Sequence, residues 1–306
     1  MSWWEALVLG VVQGLTEFFP VSSSGHLVIT EDLLGLALPG VAFDVALHVA
    51  TLLSVIVVYR ERLLGLVRGV LQRAGNDARR YVGMLALATV PAAIVGFTLE
   101  DWFEARFDDP VFAGTMILVT GSFVWSSRWA IGDGERRLLE WLPIGVAAVV
   151  AFIAGTAVPF LAVLAVEGAI MAFARTTARP EWRSEPTWSG ALLMGIAQSV
   201  AILPGISRSG STVLTGLWRR IEPAAAAEFS FLLSIPAILG AAVLKLPDLR
   251  TEGATVGGTA IAIGAVAAAI AGVLAIRFFV AMLKNRSFHV FAYYCWIAGG
   301  LFILLR

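Results

Sequence analysis

The chain alternates between long apolar runs and short polar connections. A membrane-spanning helix needs about 20 mostly apolar residues, and six runs approach or exceed that length: 43–59, 82–99, 111–131, 226–246, 257–279 and 288–305. Two further apolar segments, 5–29 and 189–214, are interrupted at Phe19-Pro20 and at Pro204-Gly205. Because proline removes a backbone donor and disfavours helix at the residue before it, each segment is predicted to form half-helix, turn, half-helix.

We call 5–29 the first hairpin and 189–214 the second hairpin, and expect both to be re-entrant. Broken backbone at membrane depth is tolerated only where protein or a water-filled cavity surrounds it. Of the 306 residues, 58% are hydrophobic and 14% charged, against roughly 25% charged in soluble domains. The pattern therefore predicts an all-α polytopic membrane protein. A net charge of zero gives no indication of a nucleic-acid partner.

The two hairpins resemble each other in sequence. A shift of 185 positions superimposes five polar or small residues: Gly10 on Gly195, Gln13 on Gln198, Ser22 on Ser207, Ser24 on Ser209 and Gly25 on Gly210. We infer an internal duplication, with repeat one at 1–131, an apolar insertion and linker at 132–187, and repeat two at 188–306. Each repeat is expected to hold a re-entrant hairpin and three spanning helices, as in transporter-like folds.

Loop charge predicts the orientation. The connection 60–80 carries six arginines, at positions 60, 62, 68, 73, 79 and 80, so the positive-inside rule assigns it to the cytoplasm. Counting spans from there places the acidic loop 100–109 outside, and Arg219, Arg220, Lys284 and Arg286 inside. Three spans per half make the repeats inverted in topology, with hairpins that dip from opposite faces and meet near the midplane. An even number of passes is then favoured for 141–174, which is expected to form a short, tilted or re-entrant helical pair.

The first hairpin carries ionisable and hydroxyl groups. Gln13 and Glu17 lie four residues apart, on one helix face, and suit a divalent cation (Mg²⁺ or Ca²⁺) or a positioned water, with Glu17 as ligand or general base. The alternative is that Glu17 only pairs with Arg208. Function is favoured because intramembrane ionisable residues are generally functional. The run Ser22, Ser23, Ser24, Gly25, His26 then opens the second half-helix as a cap and anion site. There His26 is either a structural residue or a base, acid or nucleophile, and His48 is a further candidate for the same cavity.

The second hairpin supplies positive charge and hydroxyl donors. The guanidinium of Arg208 matches phosphate oxygens bidentately, and its neighbours combine flexible backbone with hydroxyls: Gly205, Ser207, Ser209, Gly210, Ser211 and Thr212. A turn of small residues is also compatible with simple helix packing. Packing does not require an arginine, so phosphate binding is the preferred interpretation.

These motifs resemble those of the undecaprenyl pyrophosphate phosphatase family, the bacitracin-resistance membrane proteins. The first family signature, E/QxxxE followed by FxPxSSxGH, is matched by Gln13, Glu17, Phe18, Pro20, Ser22, Ser23, Gly25 and His26. The second, PGxSRSxxT, is matched by Pro204, Gly205, Ser207, Arg208, Ser209 and Thr212, and EFSFLLSIPA at 228–237 is similar too. Region 132–187 is longer than is usual in the family.

The resemblance implies hydrolysis of undecaprenyl diphosphate to the monophosphate, assisted by a divalent cation, which recycles the lipid carrier for envelope glycan synthesis. It implies a plasma-membrane protein with an outward-facing site, whose partners are the bilayer and a polyprenyl diphosphate; a homodimer stays open. Arg208, with Ser207, Ser209 and Thr212, would hold the diphosphate. Glu17 and Gln13 would serve metal or water, and either His26 or Ser23 would attack phosphorus or activate water.

Two rival functions follow from the same features. The acid-phosphatase-like lipid phosphatases share a PSGH and an SR motif, but need a histidine six residues after the arginine, where this chain has Leu214. A lipid flippase or other secondary transporter is the alternative from another class, because carriers are often built from inverted repeats with broken helices. Phosphate release by purified protein distinguishes it from the enzyme.

Overall fold

A computed structural model describes residues 1–36, 42–72, 76–131, 142–178, 181–245, 257–285 and 287–305. This part of the chain is almost entirely helical, and the β-pairing within it is one isolated bridge between Arg183 and Ile221. Arg73 and Arg286, both used in the orientation prediction, lie outside the described residues, as does 132–141 of the predicted insertion.

In the described residues, eight helices precede the insertion, two lie within it and five follow it. The first eight are α1 (Trp3–Phe18), α2 (Ser23–Leu33), α3 (Ala42–Val58), α4 (Arg60–Leu71), α5 (Asn76–Thr98), α6 (Glu100–Phe107), α7 (Pro110–Trp125) and α8 (Ser127–Ile131). The next seven are α9 (Leu142–Ile153), α10 (Ala157–Thr176), α11 (Trp188–Val200), α12 (Arg208–Trp218), α13 (Pro223–Leu244), α14 (Gly258–Lys284) and α15 (Val290–Leu305).

Five elements of the described chain are long and apolar enough to cross a bilayer, namely α5, α7 with α8, α10, α13 and α14. Helices α3 and α4 form a sixth candidate that bends by 81°, and α15 is a shorter apolar helix. A helix of about 20 residues matches the hydrocarbon thickness of a membrane. The protein is therefore an α-helical multi-pass membrane protein, as the sequence predicts.

Both predicted hairpins form half-helix, turn, half-helix. Helix α1 ends at Phe18, just before Pro20, and α11 ends at Val200, before a turn that contains Pro204. The hydroxyl of Thr120 on α7 donates to the carbonyl of Gly205 at 2.7 Å and accepts from the backbone N–H of Ser207 at 3.1 Å. A buried polar group without a partner is costly, so Thr120 stabilises the second turn.

Three segments differ from the sequence prediction. The arginine-rich connection 60–80 contains helix α4, and the acidic loop 100–109 contains helix α6. Each of these helices buries a single large apolar residue, Leu66 in α4 and Phe103 in α6, and its polar residues face outward. Neither helix contains a long apolar run, so a search for membrane spans does not reveal it. Segment 141–174 is a helical pair, as expected, with a turn at Gly155 (φ 71°). Its second helix, however, is long enough by itself to span a bilayer.

The two halves pack on each other reciprocally. Helix α1 of the first half lies along α14 of the second, and α11 of the second lies along α5 of the first. Both contacts place glycine against backbone: a Cβ on Gly10 would collide with Gly264, and one on Gly195 with Ala88. Small residues allow such close approach of membrane helices. Gly10 and Gly195, which the 185-residue shift superimposes, thus make equivalent close contacts, and the internal duplication stays a prediction.

Candidate functional site between the two hairpins

The two hairpins meet at an ion pair. Arg208, the first residue of α12, donates from Nη2 to Oε1 of Glu17 near the end of α1, at 2.5 Å. The other terminal nitrogen of Arg208 donates to the carbonyl of Ser230 on α13 at 3.2 Å. The ion pair that the sequence left as the alternative role of Glu17 is therefore present, and it joins the two halves where their turns converge.

The second carboxylate oxygen of Glu17 is the centre of a polar cluster. It accepts a hydrogen bond from Ser23 Oγ at 2.7 Å and from Gln13 Nε2 at 3.0 Å, and lies 3.5 Å from Nε2 of His48 on α3. Glu17 is only 6% exposed. Removing one partner of a buried ion pair costs about 3–5 kcal/mol, so this cluster stabilises the contact between the two hairpins. The same groups are also chemically reactive.

Three buried phenylalanine rings pack together next to Glu17. Phe18, next to Glu17, packs edge-on against Phe231 of α13 with ring centroids 5.3 Å apart, and Phe231 contacts Phe279 of α14 at 5.5 Å. All three rings are fully buried. Close packing restricts side-chain motion, so the end of α1 is held in a fixed position relative to α13.

Two of the hydroxyls after the first break, those of Ser22 and Ser24, make local contacts within the hairpin. Ser22 has φ 73°, a backbone conformation uncommon outside glycine, and its Oγ caps α2 by accepting from the N–H of Gly25 at 3.3 Å. Ser24 Oγ lies 3.3 Å from Ser22 Oγ. A Cβ on Gly25 would collide with Gly205 of the opposite turn. Ser22 is thus an ordinary N-cap, and Gly25 allows the two turns to touch.

The second hairpin is built in the same way. Ser207 caps α12 by accepting from the N–H of Gly210 at 3.0 Å, and Ser209 Oγ donates to the carbonyl of Phe19 at 2.9 Å. Thr212 lies 2.6 Å from the hydroxyl of Ser230, behind Arg208. Ser209 therefore links the two hairpins, whereas Thr212 links α12 to α13. Both were predicted as phosphate ligands, and neither is part of the cavity wall. The phosphate-binding prediction for these two hydroxyls remains untested.

A cavity of about 450 Å³ opens beside this cluster. Its polar end contains Glu17, Ser23, Ser24, His48 and Arg208, whereas α5 and α13 form a long apolar wall. That wall is lined by Ala92, Ala93, Gly96 and Phe97 of α5 and by Pro236, Ala237, Gly240, Ala241 and Leu244 of α13. The ion pair between Lys245 and Glu100, at 2.7 Å, lies at the end of the cavity next to α6. The space suits a molecule with an anionic head and an apolar tail.

His26 lies apart from this cavity. Its Nδ1 is 2.7 Å from the carbonyl of Ser22, and its Nε2 is 2.9 Å from the hydroxyl of Tyr294 on α15, whose ring stacks on the imidazole at 5.6 Å. His26 does not line the cavity that contains Glu17 and Arg208. The catalytic role predicted for His26 stays a prediction, and its described contacts match the alternative structural role.

Sequence reasoning passed over two cavity residues and gave a third little weight. Asp44 and His48 sit one turn apart on α3, and Gln198, the counterpart of Gln13, lies on α11; all three line the cavity. Both amide atoms of Gln198 are buried without a hydrogen-bond partner in the described chain. An acid four residues before a histidine in an apolar helix is a usable signal, because intramembrane ionisable groups are rare.

Two oxygen donors are compatible with the divalent cation (Mg²⁺ or Ca²⁺) predicted from the sequence, which stays a prediction. Glu17 offers a carboxylate, and the buried Oε1 of Gln13 has no hydrogen-bond partner among the described residues. No group of three or more His, Cys, Asp or Glu side chains in the described ranges could enclose a metal ion. Mg²⁺ commonly binds through one or two carboxylates together with substrate phosphates, whereas Ca²⁺ prefers a fuller protein cage.

These features define a helical membrane protein whose polar site lies between two re-entrant hairpins and continues into an apolar trough. The family described as bacitracin resistance protein BacA matches residues 6–158 and 156–301. The chain is similar to the undecaprenyl-diphosphatase of Alcanivorax borkumensis, 36% identical over 98% of this chain and 97% of the relative. It is also similar to that of Desulforapulum autotrophicum, 32% identical over 99% and 98%. Undecaprenyl-diphosphatase 3 of Bacillus cereus is 32% identical over 100% and 98%. The chain belongs to the BacA family.

Proposed function

We propose that this protein removes the terminal phosphate of a polyprenyl diphosphate, with undecaprenyl diphosphate as the physiological substrate, and releases the polyprenyl monophosphate and inorganic phosphate. The main support for this proposal is that a guanidinium, a carboxylate and a serine hydroxyl lie together at the polar end of one cavity. The other wall of that cavity is apolar. The names of the relatives support the same substrate.

The cavity can hold both the diphosphate headgroup and the isoprenoid tail of such a lipid. Arg208 has five N–H donors in a planar fork, and two of its nitrogens are engaged by Glu17 and Ser230. A diphosphate entering the polar end would draw this guanidinium away from Glu17, since phosphate accepts from the fork bidentately. The isoprenoid tail would lie between α5 and α13, where apolar side chains form the wall.

Ser23 is the best-placed nucleophile. Its Oγ lies 2.7 Å from Glu17 Oε2, within the range expected for a nucleophile and its base. In the proposed reaction Glu17, released by Arg208, accepts the Ser23 proton while Oγ bonds to the terminal phosphorus. The bond from phosphorus to the bridging oxygen breaks, and polyprenyl monophosphate leaves. Water then hydrolyses the phosphoserine, a proton returns to Oγ, and inorganic phosphate departs.

A divalent cation fits this scheme. Gln13 Oε1 and a Glu17 oxygen would hold it together with the diphosphate oxygens, and it would neutralise the charge that develops on them. Arg208 remains the residue of the chain that orients the terminal phosphate. All groups named in the scheme come from one chain, and the homodimer that the sequence left open stays open.

We further propose inverted repeats and a site that opens to the outer face, where undecaprenyl diphosphate would be recycled for envelope glycan synthesis. One end of the cavity lies beside α6, and the arginine-rich α4 lies at the opposite end of α5. The positive-inside rule assigns α4 to the cytoplasm, which supports a cavity that faces outward. Exposed cysteines introduced at Asp108 and at Arg68 test this in intact cells. A membrane-impermeant maleimide should label the Asp108 variant and spare the Arg68 variant, and the reverse pattern would contradict the orientation.

The decisive functional experiment uses purified protein, Mg²⁺ and undecaprenyl diphosphate in detergent. The proposed enzyme releases one phosphate per lipid, and release stops when Mg²⁺ is chelated. A flippase or other carrier releases no phosphate and instead moves the lipid between leaflets of proteoliposomes. Transport without phosphate release would therefore replace the proposed activity by the alternative.

A further inference from the structure

A second polar cavity, of about 320 Å³, lies near the start of α5, at the opposite end of that helix from α6. Its lining includes the guanidinium groups of Arg183 and Arg219 and the hydroxyls of Thr177, Thr187 and Ser189. Trp188, the first residue of α11, contacts Gly83 near the start of α5, and Arg62 of α4 pairs with Glu185 at 3.0 Å. These contacts place the cavity at the arginine-rich end.

Arg219 is held by neutral groups only. Its terminal nitrogens donate to Thr177 Oγ1 at 2.6 Å, Ser189 Oγ at 2.9 Å and Thr187 Oγ1 at 3.5 Å. Neither Arg219 nor Arg183 forms an ion pair with a carboxylate of the described residues. Glu185, on the same linker as Arg183, is engaged by Arg62. Among the described residues, the cavity lining therefore has two positive charges and no carboxylate.

The two guanidiniums are also close enough to affect each other. Burial and, after it, the charge of Arg183 lower the pKa of Arg219. Like charges held together in a protein cost free energy that an anion between them offsets. The backbone fixes this arrangement, because the N–H of Arg183 donates to the carbonyl of Arg220 and the N–H of Glu222 donates to the carbonyl of Arg183, both at 2.8 Å.

The equivalent position in the first half of the chain, at the start of α1, has no such excess of positive charge. Ser2 precedes α1 as Thr187 precedes α11, and Glu5 completes a capping box there with its own carboxylate. The residue 185 positions after Glu5 is Gly190, which has no side-chain acid. The positive cavity is thus a specific feature of the second half and does not follow from the shared hairpin architecture.

We propose that this cavity binds a phosphate-type oxyanion, either as free inorganic phosphate or as the headgroup of an anionic phospholipid. Two guanidiniums, with the hydroxyls of Thr187 and Ser189 beside them, are the kind of donor set that proteins use for phosphate oxygens. Trp182 and Trp188, 36% and 47% exposed, flank the site as aromatic side chains do at a membrane surface. This site is separate from the proposed diphosphate site and goes beyond the proposed function.

The test compares wild type with Arg183→Gln and Arg219→Gln, and with Arg68→Gln as a control that removes one exposed arginine from α4. Two ligands are used: inorganic phosphate, followed by thermal shift of the purified full chain, and phosphatidylglycerol, followed by native mass spectrometry in competition with phosphatidylcholine. We expect at least tenfold weaker binding of one or both ligands to both cavity variants, and less than a twofold change in the control. Any phosphate bound at Arg208 contributes equally to all proteins.

The ligand that loses binding identifies the source of the anion. An effect on inorganic phosphate alone indicates a free anion, and an effect on phosphatidylglycerol alone indicates a lipid headgroup. Circular dichroism checks that each variant is folded. If Arg219→Gln fails to fold, the comparison uses Arg183→Gln alone. That variant is expected to fold, because the Arg183 side chain forms no hydrogen bond with the described residues. Equal binding of both ligands to all four proteins, or an equal loss in the Arg68→Gln control, would overturn the proposal.

Discussion

Replacing Arg208 by alanine removes both its charge and its planar donor group, whereas lysine keeps the charge and loses the planar group. In the structure its two terminal nitrogens contact Glu17 at 2.5 Å and the carbonyl of Ser230 at 3.2 Å. Alanine removes the donors to phosphate, an effect of about 2.7–4 kcal/mol for one preorganised donor group. At 1.36 kcal/mol per tenfold this is about a 100- to 1000-fold loss in kcat/KM. Lysine keeps the charge but not the fork, so loss of a charge-assisted hydrogen bond, about 1.5–3 kcal/mol, predicts a loss of about 10- to 100-fold.

The assay is phosphate release from undecaprenyl diphosphate by purified variants, with Arg68→Ala as the control for removal of an arginine. Alanine also leaves Glu17 buried without its partner, which costs about 3–5 kcal/mol of stability. Thermal unfolding must therefore be measured, and rates compared below the transition. The expected order of activity is wild type, lysine variant, alanine variant. Equal and mild losses in both Arg208 variants would refute the role of the guanidinium as a diphosphate clamp.

Three further predictions concern the rest of the site and the packing. Glu17→Gln should raise the Mg²⁺ concentration for half-maximal activity by about tenfold or more; an unchanged Mg²⁺ titration would place the cation elsewhere. Ser23→Ala should abolish a trapped phospho-enzyme and reduce turnover by at least about 100-fold, whereas His26→Ala should keep the phospho-enzyme, because its ring contacts Tyr294 outside the cavity. The opposite result would exchange their roles. Gly10→Ala should destabilise the protein by about 1–3 kcal/mol, since its methyl collides with backbone, while Gly65→Ala, in open space on α4, should stabilise it by up to about 1 kcal/mol; thermal unfolding of both variants measures the difference.

The sequence predicted the parts of the fold that depend on local chemistry. Pro20 and Pro204 interrupt apolar runs, and the structure breaks a helix at both places. The proximity of Glu17 and Arg208, 191 residues apart in sequence, could be inferred because each is a charge inside an apolar segment and needs a partner there. The same reasoning applied to Asp44 would have added another residue of the cavity wall.

Other features depend on tertiary contacts that no local pattern encodes. The sequence placed His26 beside Glu17, but the imidazole is fixed by Tyr294, which comes 268 residues later. Thr212, whose phosphate-binding role stays a prediction, contacts Ser230 of α13, a neighbour that no local sequence pattern identifies. Helix α4 was taken for a connection, since its arginines mask a short amphipathic helix that bends away from α3.

A single-turnover experiment with substrate labelled at the terminal phosphorus tests the central claim most directly. Purified protein and Mg²⁺ are mixed with the labelled undecaprenyl diphosphate and quenched at short times. We predict that the label leaves the lipid, appears first on Ser23 and then as inorganic phosphate, with unlabelled undecaprenyl monophosphate as the other product. Release of the label as pyrophosphate, or its retention on intact lipid at all times, would contradict a phosphatase formed by the two hairpins.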